Sequence, residues 1–324
     1  CSLSLIVWYG VVEAVDYNNV NVPIEAFIMY TYMIYRPIRQ LADRFNSLQM
    51  GMVASDRVFK ILDRDENISD TGKNNKVDFK GNIQFKDVHF SYVADHAVLR
   101  GISFDVKQGQ SVAFVGATGA GKTSIINVLA RFYEIESGEV LLEGVNIKEF
   151  QLDLLRKNIA VVLQDVFLFN DTIYGNISLG NTAITKEQVI EAAKNAAIHD
   201  NIMSFPNQYQ TIVGERGITL SGGQKQRVSI ARALLKNPKI LIFDDCLSAV
   251  DTETEETILN NLKNETVGKT SLIVSHRVSS IKNCAQIVVL DHGKIIEQGT
   301  HEELINSKGS YFELYEKQMS ENKI

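Results

Sequence analysis

Positive charge is missing from the start of this chain, which has no Arg before Arg36 and no Lys before Lys60. A secretory leader needs a basic n-region and a small-residue cleavage site, so the apolar opening Cys1 to Val12 is not read as one. Long hydrophobic runs are missing too. Cys1 to Val12 is short, and Val22 to Tyr35 is interrupted by Glu25, so neither by itself proves a span of about 20 apolar residues. Cysteine is scarce: Cys1, Cys246 and Cys284 have no metal-ligand spacing, and an odd count with no paired framework excludes a disulfide scaffold and fits a reducing compartment. Both readings leave them as small hydrophobes. There is no basic excess, the formal net charge being −6, and no RNA- or DNA-binding motif, so no nucleic-acid partner is expected. Internal repeats and low-complexity segments are absent. Residue 1 is Cys rather than Met, and the chain reads as cut from within a longer protein.

What is present suffices for a substantial core: 324 residues, 45% of them hydrophobic, allow one large domain or two ordinary ones. The organising stretch is Gly116-Ala117-Thr118-Gly119-Ala120-Gly121-Lys122-Thr123, a complete GxxxxGKT phosphate loop. The apolar run Ser111 to Val115 before it reads as a buried strand, and Ser124 to Phe132 after it has helical spacing. Glycines let backbone N–H groups close on phosphate oxygens at a helix N-terminus. Lys122 adds a point charge for β- and γ-phosphates, and the Thr123 hydroxyl is a hard ligand for Mg²⁺.

Residues 1–62 differ in texture from the rest, with Trp8, Tyr9, Phe27, Tyr30, Tyr32 and Tyr35 among apolar runs. On hydropathy alone a buried soluble helix pair is nearly as good a reading as membrane. Charge asymmetry favours membrane: Glu13 to Asn21 has no Lys or Arg, whereas Arg36, Arg39, Arg44, Arg57 and Lys60 follow the second run, which puts that side toward the cytoplasm. A helix from Ile24 to about Leu62 would be roughly 58 Å long, so its second half, with the stripe Leu48, Met52, Val58 and Ile61, would stand in water. Pro37 should kink it, and Arg36 and Arg39 would face protein or a polar cavity. Residues 63–80 are polar and read as a linker.

From 81 to 324 the pattern is α/β. Short strands at Ile83 to Phe85, His89 to Tyr92, Ile102 to Val106 and Val140 to Leu142 predict an antiparallel layer. Continuous aliphatic runs at Ile159 to Leu163, Ile240 to Phe243, Ser271 to Val274 and Ile287 to Leu290 predict a parallel sheet covered on both faces. Asp165 to Leu235 reads as a mostly helical insertion, with a capping box at Thr185 and Gln188. Asp291 to Lys294 reads as a hairpin turn, and Thr300 with Glu303 as the cap of a closing helix.

Ile240 to Asp244 is an apolar strand ending in an acid, the arrangement that holds Mg²⁺ for a nucleotide. In Leu220-Ser221-Gly222-Gly223-Gln224, Ser221 would cap the helix that follows, and the glycines leave N–H groups open to an anion. With these motifs in order, the chain resembles an ATP-binding cassette exporter, the kind that fuses membrane and ATPase domains. The fold implied is an α/β P-loop NTPase domain (parallel core sheet, antiparallel β layer, helical subdomain) over 81–324. The last transmembrane helices of an all-α membrane domain would occupy 1–62.

The resemblance implies roles, residue by residue. Tyr92 is similar to the aromatic that stacks on adenine; Gly116, Thr118, Gly119, Ala120, Gly121, Lys122, Thr123 and Ser124 match the phosphate loop. Gln164 resembles the glutamine that touches Mg²⁺ and faces the membrane domain's coupling helices, and Thr211 to Gly217, with Glu215, the loop that contacts them. Ser248 to Asp251 resembles the loop linking two nucleotide sites, and His276 the switch histidine at the γ-phosphate. Singly, Tyr92 reads as well as an edge-strand aromatic, Gln164 as a strand-end polar residue and His276 as a surface histidine. The family implies ATP and Mg²⁺ as cofactors and a composite site in which Ser221, Gly222, Gly223 and Gln224 of one domain face the phosphate loop of another. It also implies a second half-transporter, membrane lipid and an unidentified transported substrate as partners, in the cytoplasmic membrane.

One position departs from the pattern. Where the family usually has Glu to polarise the attacking water, this chain has Asp245, one methylene shorter. Either backbone adjustment or His276 compensates, or the chain is the weakly hydrolysing half of a heterodimer. Soluble cassette ATPases of DNA repair or translation and a nucleotide-holding regulatory subunit are the competing functions. A P-loop kinase or GTPase needs no Leu220 to Gln224 stretch.

Overall fold

The computed structural model describes residues 2–16, 24–64, 68, 70, 72–74, 78–179, 181, 183–246, 254, 257–258, 261 and 268–321. The chain divides into two compact units, Cys1–Asn67 and Ile68–Ile324.

The first unit is two helices. Helix α1 is Ser2–Asp16 and helix α2 is Ile24–Leu62, the latter with the bounds its pattern predicts and Pro37 inside it. Among the described residues no helix is long and apolar enough to cross a membrane. Helix α1 has 15 residues, roughly 22 Å at 1.5 Å each. Helix α2 is long enough, but its first half includes Glu25, Arg36 and Arg39. Apolar side chains along it stand exposed, Tyr32, Met33 and Ile34 in the first half and Leu48, Met52, Val58 and Ile61 in the second.

The second unit is built on two sheets. Strands β1 (Ile83–Ser91), β2 (Ala97–Val106), β4 (Ser137–Leu142) and β5 (Val145–Asn146) form an antiparallel sheet in the order β2-β1-β4-β5. The two strands expected at 83–85 and 89–92 are one strand, because a bulge absorbs the polar residues between them. Register shifts between Phe85 and Val88, and Asp87 takes φ 47°. The other sheet has the order β10-β9-β3-β8-β7-β6, with β3 Ser111–Gly116, β6 Ile159–Val162, β7 Ile240–Asp244, β8 Thr270–Val274, β9 Gln286–Asp291 and β10 Lys294–Gly299. Strands β9, β3, β8, β7 and β6 pair in parallel, and β10 joins β9 antiparallel through the expected turn. Their Val, Ile and Leu runs suit strands covered on both faces.

Three apolar clusters hold these layers. One lies between the sheets, where the stacked rings of Phe85 and Phe104 (centroids 4.5 Å apart) meet Phe114 of β3 with Ile125, Leu272 and Val288 beneath. A second joins β6 and β7 to the expected helical region, α5 (Ile173–Ser178), α6 (Lys186–Asn195), α7 (His199–Met203) and α8 (Gly222–Leu235). The third covers the far side of β3 and β9 with α9 (Val278–Ile281), α10 (His301–Ser307) and α11 (Ser310–Glu321). Helix α3 is Lys122–Leu129 and helix α4 is Leu152–Asn158. Capping boxes form at Thr185 with Gln188 and at Thr300 with Glu303, where caps are predicted, and the predicted Ser221 cap is also reciprocated by Gln224. Cys246 and Cys284 are both buried.

At the entry to this unit, Glu143 Oε1 accepts from three successive backbone N–H groups, Lys80 (2.8 Å), Gly81 (2.5 Å) and Asn82 (3.0 Å). Its Oε2 accepts from Asn82 Nδ2 at 2.7 Å.

Candidate nucleotide-binding site

Strand β3 delivers the chain into the phosphate loop, and α3 starts at Lys122. The loop lies close against β9. A Cβ built on Gly116 (φ 145°) would sit 2.1 Å from the Leu290 carbonyl oxygen, so only glycine lets the chain leave the sheet here. Ala120 is buried behind the loop, and its carbonyl oxygen accepts from Gly293 N–H at 3.1 Å.

Lys122 is 6% exposed, and its Nζ donates to the carbonyl oxygens of Gly116 (2.8 Å) and Ala117 (2.9 Å). Burial pulls its pKa below the usual lysine range, against the opposing charges of Asp245 and Asp244. Thr123 Oγ1 donates to Asp244 Oδ1 at 3.2 Å, which ties the first turn of α3 to the end of β7. Asp244 is 4% exposed. Burial raises its carboxyl above the ordinary value. The Thr123 hydrogen bond opposes that, Asp245 reinforces it, and Lys122 and His276 oppose it. Asp245 itself turns the chain out of β7 with φ 44°, its N–H donating to the Val274 carbonyl at 2.9 Å.

Tyr92 closes one side. Its ring meets Phe90 (4.7 Å) and Tyr133 (4.9 Å) edge-on; its hydroxyl lies 3.2 Å from Ser124 Oγ and accepts from Asn127 Nδ2 at 2.9 Å. Tyr92 remains 45% exposed. Asn127 and Tyr133 were not singled out from the sequence. Asn127 lies one helical turn after Ser124, but nothing local in the sequence ties either of them to Tyr92.

These elements enclose a cavity of about 360 Å³. Tyr92, Thr118, Gly119, Gly121, Lys122, Thr123, Ser124, Gln164, Asp244, Asp245 and His276 all line it. Gly116 and Ala120 brace it from behind. Ser221, Gly222, Gly223 and Gln224 do not reach it. They open α8, with Ser221 and Gly222 exposed; Ser221 N–H donates to Gln224 Oε1 (2.9 Å) and Gln224 N–H to Ser221 Oγ (3.3 Å). Ser248 to Asp251 lie outside the described residues.

Thr123 and Asp244 fit Mg²⁺ by donor type. A hydroxyl and a buried carboxylate already in contact are hard oxygen donors, and Mg²⁺ takes the rest of its shell from phosphate and water. Gln164 adds an amide oxygen at the same wall.

A second cavity, of about 450 Å³, lies between β6 and the helical region, walled by Val161, Leu163, Ile177 and Leu179 with Arg232 and Lys236 at its polar edge. Beside it Phe167, Phe169, Ile212 and Ile218 are exposed, and Glu215 opens a short 3₁₀ turn, Glu215–Gly217. Buried Asn176 knits this wall together: its Nδ2 donates to the carbonyls of Phe169 and Thr172, and it accepts from Arg232 of α8. Sequence reasoning missed that hub, since an Asn within a short helix has no local signature.

The described arrangement matches known proteins. Residues 99–248 match the family model described as ABC transporter. The chain is 43% identical over 293 residues to "ABC transporter B family member 24, mitochondrial" of Arabidopsis thaliana, covering 89% of this chain and 43% of that protein. It is 38% identical over 323 residues to an "ATP-dependent lipid A-core flippase" of Syntrophus aciditrophicus (strain SB), covering 99% of this chain and 54% of that protein. Among solved structures it is similar to a bacterial Atm1-family ABC exporter with ATP bound, with TM-score 0.79, 39% identity, and coverage of 90% of this chain and 51% of that one. The chain spans about half the length of the curated relatives it matches. The cavity's residues from Thr118 to Asp245 fall within the matched span, and Tyr92 and His276 lie outside it. The chain carries an ABC transporter domain.

Proposed function

We propose that this chain binds and hydrolyses ATP as the nucleotide-binding part of an ABC exporter, driving an unidentified substrate across the cytoplasmic membrane. The observation that supports it most is the single cavity walled by Lys122, Thr123, Gln164, Asp244 and His276, with the Ser221 end of α8 exposed outside it. Thr118 and Gly119 of the loop and Ser221 and Gly222 of α8 are all exposed yet line no common cavity, as two chains sharing two ATP molecules require.

Each residue has a task. The loop N–H groups and Lys122 hold the β- and γ-phosphates, and the half-exposed ring of Tyr92 meets the adenine. Lys122 must leave the carbonyls of Gly116 and Ala117 to reach phosphate. Thr123, Asp244 and Gln164 would hold Mg²⁺, which when bound offsets the phosphate charge. Asp245 orients the attacking water and His276 meets the γ-phosphate. Ser221 to Gln224 of a second half-transporter would complete the donor set, and Gln164 would report occupancy to coupling helices seated near Glu215 and the apolar wall around Phe167.

Residues 1–62 are proposed as the end of a membrane domain, 63–80 as linker and 81–324 as the ATPase domain. Support comes from the exposed apolar side chains of α1 and α2, Trp8 and Tyr32 among them, and from relatives named as an exporter and a flippase. Lys122→Ala tests the ATP reading: nucleotide affinity should fall at least tenfold, since a charge-assisted contact is worth about 1.5–3 kcal/mol. Unaltered affinity would refute it.

A second reading is favoured by Asp245: this chain is the weakly hydrolysing half of a heterodimer. The shorter carboxylate sits about 1.5 Å further back, and a misplacement of about 1 Å costs on the order of a hundredfold in rate. Asp245→Glu should then raise single-turnover hydrolysis; a homodimer of ordinary exporter rate that Asp245→Glu leaves unimproved removes this reading.

A further inference from the structure

Helix α11 reaches the nucleotide site from the far side of the sheet. Tyr311, Tyr315 and Gln318 fall at i, i+4 and i+7, so they share one face. Tyr311 is fully buried, and Tyr315 packs on the same cluster as Val278 and Ile281 of α9. Tyr311 is further pinned by His301, whose Nδ1 lies 2.8 Å from the tyrosine hydroxyl, and by Glu297, which accepts from the N–H groups of Ser310 (2.5 Å) and Tyr311 (3.1 Å). The helix is thus firmly seated.

That seat sets Gln318 against the turn between β8 and α9. Its Oε1 accepts from Val278 N–H at 2.8 Å, and its Nε2 donates to the His276 carbonyl oxygen. One planar amide therefore holds a donor and an acceptor two residues apart, bracketing Arg277. Ser275 Oγ, accepting from Arg277 N–H at 3.0 Å, fixes the same turn from within. The residue so held, His276, has its side chain in the nucleotide cavity. Among the described residues neither backbone group has a strand or helix partner to replace the amide, so without Gln318 both turn to water and the loop's conformation is no longer set.

We propose that Gln318 is a positioning residue for ATP hydrolysis: from α11 it fixes the backbone of His276 and so aims the imidazole at the γ-phosphate end of the cavity. This rests on the role proposed above for His276. Only an amide fits both contacts. Glu at 318 keeps an acceptor for Val278 N–H but places a carboxylate against the His276 carbonyl.

The test is single-turnover and steady-state hydrolysis by the full chain, with amide exchange at Val278. Gln318→Ala and Gln318→Glu should each lower kcat about tenfold with the KM for ATP within about twofold, the pattern of a misplaced group at the reacting end. Exchange at Val278 should speed in Gln318→Ala and stay slow in Gln318→Glu. In a His276→Ala background Gln318→Ala should cost nothing more, because the two act as one unit. Additive losses, or full kcat in Gln318→Ala alongside an impaired His276→Ala, overturn the inference alone. Normal turnover by His276→Ala overturns the histidine's role and the inference with it. Gln318→Glu conserves size on a half-buried helix face, so a folding failure of Gln318→Ala leaves the question decidable.

Discussion

Asp244 and Lys122 are opposite charges kept from water at one wall of the cavity, and burial works against both. The sign of each effect on stability follows. A carboxyl with a raised folded-state pKa binds its proton more tightly folded than unfolded, so its folded form loses stability as pH rises through the window above 3.8. Asp244→Asn should therefore raise the thermal midpoint of the nucleotide-free protein at pH 7, with the advantage shrinking as pH approaches 4. ATP with Mg²⁺ should no longer raise that midpoint. Lys122 behaves in the mirror sense, its folded form regaining stability as pH climbs toward 10.5. A pH series of thermal melts with and without nucleotide checks both. Residues of this kind were legible in the sequence because GxxxxGKT and an apolar strand ending in acid are local patterns. The partners of Tyr92 were not, since Asn127 and Tyr133 meet it across 35 and 41 positions of chain.

At the scale of elements, caps and periodicity read well. Thr185, Ser221 and Thr300 each form the reciprocal box that their Gln or Glu three residues on announces, and α2 runs from Ile24 to Leu62 as its pattern implies. What failed to read was the continuity of β1 through its bulge, because Lys86 and Asp87 look like a turn when only neighbours in sequence are seen. Contacts such as Gln318 with His276 join an element to a backbone turn, and backbone groups leave no mark in sequence. Ser221→Ala should cost about 1 kcal/mol of stability as a lost cap. Since Ser221 lies outside its own chain's cavity, ATP affinity of the isolated chain should be unchanged while hydrolysis by the assembled pair falls. Nucleotide titration beside turnover separates the two. Glu143 is the other element-scale case. Despite partial burial, its hydrogen bonds to Asn82 and to the N–H groups of Gly81, Asn82 and Lys80 hold its carboxyl below the ordinary value. Its contribution is therefore full above pH 4.5 and is lost as pH falls through the lowered pKa. Glu143→Ala should cost about 1–3 kcal/mol in urea unfolding at pH 7, and less under acid.

On the scale of the molecule, the two units differ in what sustains them. Unit Ile68–Ile324 has three apolar clusters of its own, whereas the helices of Cys1–Asn67 leave large apolar side chains exposed over their described length. A fragment covering 68–324 should thus stay soluble and melt in one transition near that of the full chain. The full chain should need detergent or lipid; size-exclusion profiles of the two decide it.

The turn between β9 and β10 has a consequence for anyone altering this protein. A surface hairpin is ordinarily where a tag or epitope is tolerated. Here Gly293 N–H grips the Ala120 carbonyl, its own carbonyl accepts from Arg100 N–H at 2.8 Å, and a Cβ on it (φ 78°) would meet the Val98 carbonyl oxygen at 2.2 Å. The turn is a wedge that seats the phosphate loop against β2, so a graft at His292 should loosen that loop and weaken ATP binding from what looks like a harmless corner.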